Sequence, residues 1–280
     1  MKGLRTLIPA VVILLVLSGC SEHIVNRIAF HPIPFQTSDY EITDKRIQEL
    51  EFTTPDQVRL HAFYIPYPGK QKLVVFFHGN FGNSLHRIFA AWELAKTGVN
   101  VMLISYRGYG RSEGIPTEKG LYTDAATAIN FATNQLGYNQ SNIFILGRSL
   151  GTAVAIDVAQ DLDLGGLILI SPFPSGNAVM ETSGAGWLSW FVTGTPFNSA
   201  EKIHHAKVPA LFIHGDRDTL IPVHLSRELY RSYPSPYKSM VTVPTAGHND
   251  IFSVAGTKLW SRIGAFVESP QKDMDRIENL

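Results

Sequence analysis

The chain has a single cysteine among its 280 residues, which excludes an intramolecular disulfide framework and any zinc cluster built on cysteines. Neither charge sign is in excess, because 24 lysines and arginines balance 24 aspartates and glutamates, and this argues against a nucleic-acid-binding protein. No apolar run reaches the roughly 20 residues that a membrane-spanning helix needs. The chain does have enough length and hydrophobic residues, 45% of the total, to bury a core without cross-links or metals.

The first 20 residues have the organisation of a bacterial export signal. Lys2 and Arg5 precede an apolar stretch, residues 7–17, which is too short to cross a bilayer and is typical of a signal peptide. The residues Leu17-Ser18-Gly19-Cys20 resemble the lipobox of bacterial lipoproteins. The resemblance implies cleavage after residue 19 and attachment of lipid to the Cys20 thiol. An uncleaved anchor, or an ordinary secretory signal with an incidental cysteine, are the alternatives.

We therefore expect residues 1–19 to be a lipoprotein signal peptide. The mature chain is expected at a bacterial cell envelope, anchored to the membrane through Cys20 (the outer membrane, periplasmic side, in a Gram-negative host). A Cys20→Ala variant should leave the membrane fraction or stay unprocessed. Unchanged size and fractionation of that variant would count against lipidation.

Beyond the leader, β-rich runs alternate with helical stretches. Residues 20–45 have little periodicity and several prolines, and we interpret them as a lipidated tether and lead-in to the domain. The pattern over residues 46–268 predicts an α/β domain, with a mostly parallel eight-stranded sheet and helices on both faces. Residues 173–207, after the sixth strand, lack a strand pattern and are expected to form a small lid. Residues 269–280 are expected to be a C-terminal tail.

The predicted strands are short, and the helical stretches fall between them. The strands are expected at 51–54, 58–65, 73–77, 100–105, 142–146, 167–170, 210–213 and 239–243. The helices are expected at 84–96, 118–135, 150–161, 223–231 and 251–267. No internal repeat or low-complexity tract interrupts this order.

The segment Gly147-Arg148-Ser149-Leu150-Gly151 matches the pattern G-x-S-x-G. An apolar strand precedes it and a helix rich in small residues follows, which is the strand–turn–helix context of a nucleophile elbow. Such a turn places the serine at a helix N-terminus, where N–H groups favour a developing negative charge. The alternative is a glycine-rich turn in which Ser149 only caps the helix. That alternative does not require an acid and a histidine downstream.

Both partners are present, each directly after a predicted strand. Asp216 and Asp218 follow the strand at 210–213, and His248 follows the strand at 239–243. The order serine, aspartate, histidine is the order of an α/β-hydrolase triad. Both aspartates follow the same strand, so the acid is Asp218 or Asp216 at this point, and the one that is not the acid is expected to be a turn residue.

Five motifs together resemble the small-lid serine hydrolases of the α/β-hydrolase superfamily. They are His78-Gly79-Asn80, Tyr106-Arg107-Gly108-Tyr109-Gly110-Arg111-Ser112, Gly147–Gly151, His214-Gly215-Asp216-Arg217-Asp218 and Gly247-His248-Asn249-Asp250. The resemblance spans about residues 28–267 and implies that fold. It also implies Ser149 as nucleophile, His248 as base and Asp218 as acid, with an oxyanion hole from the backbone N–H groups of Asn80 and Leu150. It implies no cofactor and no metal, and His78 is expected to be a scaffold residue.

The resemblance implies hydrolysis of a carboxylic ester or thioester through an acyl-enzyme. The short lid favours a small to medium acyl group, and no nucleic-acid partner is expected. An amidase or peptidase with the same triad, and a non-enzymatic envelope lipoprotein on a hydrolase scaffold, are the alternatives. The aromatic run Trp187-Leu188-Ser189-Trp190-Phe191 in the expected lid could line the substrate pocket, pack the lid onto the domain or contact a bilayer.

Overall fold

The computed structural model describes residues 25–35, 44–160, 162–182, 184, 186, 194–272 and 276–280. The predicted signal peptide and the lipidation site Cys20 lie outside the described residues, so both stay predictions from the sequence. The same holds for the aromatic run at 187–191. Within the described ranges, no helix is both long enough and apolar enough to cross a bilayer.

Strands of the described residues form one large sheet and one small parallel pair. In chain order they are β1 (His31–Pro32), β2 (Gln48–Thr53), β3 (Arg59–Ile65), β4 (Leu73–Phe77), β5 (Phe81–Gly82), β6 (Asn100–Ser105), β7 (Ile143–Arg148), β8 (Gly166–Ile170), β9 (Ala210–Gly215), β10 (Lys238–Val243) and β11 (Arg276–Asn279). Nine of these strands make the large sheet, in the order β11-β10-β9-β8-β7-β4-β6-β3-β2. Neighbouring strands are parallel except in the two pairs that involve β3.

Helices connect the strands. Within the described residues they are α1 (Ile88–Ala95), α2 (Glu118–Asn134), α3 (Leu150–Val158), α4 (Gly176–Thr182), α5 (Ser199–Lys202), α6 (Val223–Ser232) and α7 (Ile251–Glu268). Short 3-10 turns lie at Ser84–Arg87, Gln140–Asn142, Ile203–His205 and Pro270–Lys272, and residues 25–29 are helical. Helix α7 is interrupted at Gly256, whose φ of 56° lies outside the helical range.

The central strands are apolar throughout because both faces of the sheet are covered. In β4, Leu73, Val75 and Phe77 contribute to one buried cluster, whereas Val74 and Phe76 contribute to the other. Helices α2, α3 and α6 supply side chains to the first cluster, and α1 and α7 supply the second. This two-sided burial explains why the strand runs lack the alternating pattern of a half-exposed sheet.

The centre of the sheet contains a topological switch point. Strand β4 lies between β6 and β7. The helix after β4, α1, packs on one face, and the helix after β7, α3, packs on the other. Ligands of open α/β sheets bind in the crevice that such a divergence leaves beyond the carboxyl ends of the strands. The loop at 78–82 and the turn at Ser149 both leave the sheet at this crevice.

The predicted fold class is confirmed: a mostly parallel sheet carries helices on both faces. The sheet of the described residues has nine strands where eight were predicted, because β11, in the expected tail, pairs in parallel with β10. Residues 31–32 of the expected tether pair with β5. In the expected lid, the described residues form α4 and α5. The domain limits predicted from the sequence otherwise stay predictions.

Candidate active site

Ser149 stands at the tip of the turn between β7 and α3. Its φ is 53° and its ψ is −121°, a backbone conformation that residues other than glycine rarely adopt. The buried packing of the strand and the helix holds the residue there, and backbone strain of this kind is concentrated at functional sites. The turn therefore presents the hydroxyl of Ser149 to the crevice rather than to the core.

Two glycines make this sharp turn possible. A Cβ on Gly151 would lie 2.1 Å from the carbonyl oxygen of Phe77, on the neighbouring strand β4. A Cβ on Gly147 would lie 2.3 Å from the carbonyl oxygen of Gly151. No side chain tolerates such distances to backbone, so both positions require glycine for close approach of strand and helix. The two glycines of the G-x-S-x-G motif are therefore required by the close contact between the strand and the helix.

The structure brings Ser149, His248 and Asp218 into one hydrogen-bonded row. Nε2 of His248 lies 3.0 Å from Oγ of Ser149, and Nδ1 of His248 lies 2.7 Å from Oδ2 of Asp218. All three residues are buried, although they come from turns that follow three different strands. The carboxylate accepts a hydrogen bond from the N–H at Nδ1, so the proton of the neutral ring stays on Nδ1. Nε2 is then unprotonated and faces the serine hydroxyl.

The carboxylate of Asp218 is held by more than the histidine. Its Oδ1 accepts hydrogen bonds from the backbone N–H groups of Leu220 and Ile221, at 3.0 and 2.8 Å. Burial alone would raise the pKa of Asp218, but hydrogen bonds from His214 and His248 outweigh burial and hold the pKa well below its usual range. Asp218 is therefore a fixed anion next to His248 at any physiological pH.

The two other carboxylates near His248 have different partners. Asp216 is exposed, and its Oδ1 accepts from the backbone N–H of Thr245 at 2.7 Å. Asp250 accepts from the N–H of Gly247 at 2.6 Å and lies at the start of α7. Of the two candidate acids, the structure places Asp218 against the histidine and Asp216 in the surrounding turn.

The loop after β4 faces the serine from the other side of the crevice. Asn80, Ser149 and Leu150 line one cavity. The N–H of Leu150 is among the first of α3, which have no acceptor within the helix. The carbonyl of Asn80 accepts from the hydroxyl of Tyr109 at 2.7 Å and from the N–H of His31 at 3.0 Å, so this peptide is held from two directions.

His78 lies beneath this loop with no exposed surface. Its Nδ1 lies 2.7 Å from the carbonyl of Gly79, so Nδ1 carries the proton, and Nε2 has no hydrogen-bond partner among the described residues. Burial lowers the pKa of His78 to about 4. The ring stays neutral at neutral pH and supports the loop through its contact with Gly79.

We expect His78 to make the folded state acid-sensitive. Its folded-state pKa of about 4 lies below the unfolded value of about 6.5, so stability is present above pH 6.5 and is lost as the pH falls towards 4. The free energy of unfolding should fall by about 3 kcal/mol from this group. Urea denaturation at pH 7 and at pH 4 measures the free energy of unfolding. Its fall between the two pH values should be about 3 kcal/mol smaller in His78→Asn than in the wild type.

The control for this experiment is His224→Asn, which changes an exposed histidine in α6 and should keep the wild-type loss. The His78 variant should also be less stable at pH 7, because its ring packs against Tyr106 and Tyr109. The comparison therefore uses the change with pH and not the absolute stability. Equal losses in wild type and His78→Asn would contradict the prediction.

Arg148 is a site residue that the sequence did not indicate. It occupies the unspecified second position of the motif, is buried, and donates through one guanidinium nitrogen to the backbone carbonyl of His248 at 2.7 Å. A weaker contact of 3.3 Å reaches the side chain of Asn249. Burial lowers the pKa of Arg148 to about 10. The residue beside the serine thus holds the loop that carries the histidine.

A cavity of about 210 Å³ opens above Ser149. Its walls come from the helical residues 25–29, α3, Phe173, α4, residues 196–197 and the residues after β9. The lining side chains are apolar apart from those of Asn80 and Ser149. A larger groove of about 630 Å³ lies elsewhere, at residues that precede strands, such as Lys72 and Pro209. That groove contains none of the predicted site residues, so the smaller cavity is the one relevant to the chemistry.

The neighbouring histidines His204 and His205 lie in a 3-10 turn after α5. Within the part of the chain that the structure describes, no group of three or more histidine, cysteine, aspartate or glutamate residues is arranged to hold a metal ion.

The chain is similar to known proteins of one family. Residues 68–197 match the family model described as serine aminopeptidase, S33. The α/β-hydrolase domain-containing protein WAV2 of Arabidopsis thaliana is 29% identical over 88% of this chain and 89% of its own length. The protein YfhR of Escherichia coli is 32% identical over 74% of this chain and 75% of its own length.

A solved structure shows the same fold. An esterase of Pyrococcus furiosus superposes with a TM-score of 0.71 at 23% sequence identity, and the match covers 86% of this chain and 97% of the esterase. The chain therefore belongs to the α/β-hydrolase superfamily of hydrolytic enzymes.

Proposed function

We propose that the protein is a serine hydrolase that cleaves carboxylic esters or thioesters through an acyl-enzyme intermediate. The apolar cavity above Ser149 is the main support for this proposal. Its wall contains no charged side chain among the described residues. A cavity of this kind accommodates the hydrocarbon part of an acyl group next to a nucleophile.

The geometry supports a two-step mechanism. Oγ of Ser149 attacks the carbonyl carbon while Nε2 of His248 takes the hydroxyl proton. The negative charge that develops on the carbonyl oxygen is stabilised by the N–H groups of Leu150 and Asn80. The imidazolium, stabilised by the anion of Asp218, returns the proton to the leaving alcohol or thiol. Water then attacks the acyl carbon while Nε2 of His248 takes its proton. The bond between the acyl carbon and Oγ of Ser149 breaks, His248 returns the proton to Oγ, and the carboxylic acid leaves.

The family description points to an amide substrate as the second candidate, since it names a serine aminopeptidase. An aminopeptidase has to bind the positively charged amino terminus of its substrate. Bringing such an ammonium group into an apolar cavity without a carboxylate costs several kcal/mol. The described part of the cavity wall contains no carboxylate. Esters are therefore favoured, and the Pyrococcus furiosus protein of the same fold is likewise an esterase.

The test compares p-nitrophenyl esters with aminoacyl anilides on the same preparation. We expect kcat/KM for a butyryl or octanoyl ester to exceed that for leucyl anilide by at least about 10³-fold. A fluorophosphonate probe should label Ser149, which peptide mass spectrometry detects. Preferred cleavage of the anilide would favour the aminopeptidase. Failure of both cleavage and labelling would favour a non-enzymatic lipoprotein.

The predicted lipid anchor would place this chemistry at a membrane. Val25 of the cavity wall lies five residues after Cys20 in the sequence. Five residues of extended chain cover at most about 18 Å. A lipid on Cys20 would therefore keep the cleft close to the bilayer surface of a bacterial envelope. The Cys20→Ala fractionation experiment described above tests this part of the proposal.

A further inference from the structure

Residues 25–35 precede every strand of the large sheet and belong to the expected tether and lead-in. The structure packs them against the crevice. Phe30 is buried, and its ring makes an edge-to-face contact with Phe197 at a centroid distance of 6.0 Å. Val25 and Ala29 pack against the same buried cluster as the central strands. The segment is therefore part of the domain.

The segment is also bonded to the loop that faces Ser149. Strand β1 pairs in parallel with β5, so that His31 is opposite Phe81. The N–H of His31 donates to the carbonyl of Asn80 at 3.0 Å, and the N–H of Ile33 donates to the carbonyl of Gly82 at 2.9 Å. These bonds tie the segment to the loop that carries Asn80.

One face of the helical residues 25–29 lines the cavity. Val25, Ile28 and Ala29 have the spacing of neighbours on one helix face, and all three are cavity-lining residues. Across the cavity stand Val179 and Met180 of α4. Ala29 has the smallest side chain of the three, so a larger side chain at this position would reduce the free volume of the cavity.

We propose that residues 25–29 form a wall of the acyl-binding cavity and set the length of acyl chain that the enzyme accepts. The inference rests on the proposed function of Ser149 as the nucleophile. At about 30 Å³ for each water-sized group, the cavity of about 210 Å³ holds about seven such groups. The substrate class is therefore a medium-chain acyl ester or thioester, with the hydrocarbon chain lying between α4 and the N-terminal segment.

An Ala29→Phe variant tests this assignment by filling the cavity. We expect kcat/KM for an octanoyl ester to fall by about 10²-fold, because several methylene groups lose their buried site, each contributing about a factor of four. The value for an acetyl ester should change by less than about threefold, since its methyl group stays beside Ser149. Ala29→Leu should give an intermediate ratio. The matched control is Ala265→Phe, at an exposed alanine of α7 on the other face of the sheet.

A second measurement uses the unmodified wall. An octyl fluorophosphonate with a diazirine at the end of its chain is first bound to Ser149 and then photolysed. We expect cross-links in the tryptic peptides on either side of Arg27, which contain Val25 and Ile28–Ala29. Cross-links confined to α4 and to 196–197 would overturn the assignment. An unchanged octanoyl-to-acetyl ratio in folded Ala29→Phe would do the same.

The two proposals fail in different ways. If wild type cleaves no ester and the probe does not label Ser149, the proposed function is wrong. If wild type cleaves the acetyl ester and is labelled, but the Ala29 variants keep the wild-type ratio, only the cavity wall is wrong. An Ala29→Phe variant that does not fold is replaced by Ala29→Leu and by the cross-linking result, which needs no substitution.

Discussion

Replacing Ser149 by alanine is expected to lower kcat for ester hydrolysis by about 10⁴- to 10⁶-fold, with the fold retained. The substitution removes the proposed nucleophile, the oxygen that lies 3.0 Å from Nε2 of His248. The cavity and the N–H donors of the oxyanion hole stay, so a small rate above the uncatalysed reaction should remain. Alanine experiences the same strain at a φ of 53° as serine does, so we expect the free energy of unfolding to change by about 1 kcal/mol or less.

The chain contains a closely matched control for this variant. Ser171 follows β8, the strand next to β7, and it is also a buried serine with a positive φ, 54°. Its hydroxyl has no hydrogen-bond partner among the described residues. Ser171→Ala should therefore keep kcat within about tenfold of wild type. Fluorophosphonate labelling that persists in Ser149→Ala, or an equal loss of activity in both variants, would remove Ser149 from the role of nucleophile.

Local sequence is sufficient to predict the turn at Ser149. The strand before it is fully buried, the residues after it are small, and the glycines occupy the two positions where a Cβ would meet backbone at 2.1 and 2.3 Å. Each of these requirements restricts the residue types within a few positions of the serine, so it can be recognised in the sequence. The central strands were predictable for a similar reason, since burial on both faces produces continuous apolar runs. The observed β4 and β6 have the predicted limits.

Elements whose stability comes from distant partners were not predictable in this way. Strand β11, Arg-Ile-Glu-Asn, has no strand pattern, and its side chain Ile277 is largely exposed. Its position follows from pairing with β10 and from the ion pair between Glu278 and Arg262 at 2.6 Å. Strand β1 has two residues, one of them a proline, and depends on its bonds to the loop at 80–82.

The site shows the same division between local and distant determinants. Ser149 and His248 each follow a strand, as do both candidate acids, in the order that the proposed chemistry requires. The choice of Asp218 over Asp216 came from the resemblance to the family and not from the spacing. Arg148 could not, because the motif leaves its position open and its partner, the carbonyl of His248, lies 100 residues away in the chain. For residues 25–29, the spacing of Val25, Ile28 and Ala29 was the available signal, but three apolar residues do not identify what a helix face covers.

If the proposed triad is right, replacing Asp218 by asparagine is expected to lower kcat by about 10³- to 10⁴-fold. The backbone N–H groups of Leu220 and Ile221 donate to Oδ1, and in the variant they would retain the amide oxygen at that position. The amide NH₂ then points at His248 and donates to Nδ1. This forces the proton onto Nε2, where the imidazole can no longer accept the proton of Ser149. The measurement is kcat for an acetyl or butyryl ester, with thermal unfolding as the check on folding.

Asp216→Asn provides the matched comparison, since it makes the same chemical change two residues away. Asp216 accepts one hydrogen bond, from the N–H of Thr245, and the amide oxygen of asparagine can accept it equally well. We expect kcat to stay within about threefold of wild type. A larger loss in Asp216→Asn than in Asp218→Asn would reverse the assignment of the acid. The two variants separate the residues sharply because they differ in one respect that matters: the oxygen of Asp218 that asparagine replaces by nitrogen is the one that holds the histidine tautomer.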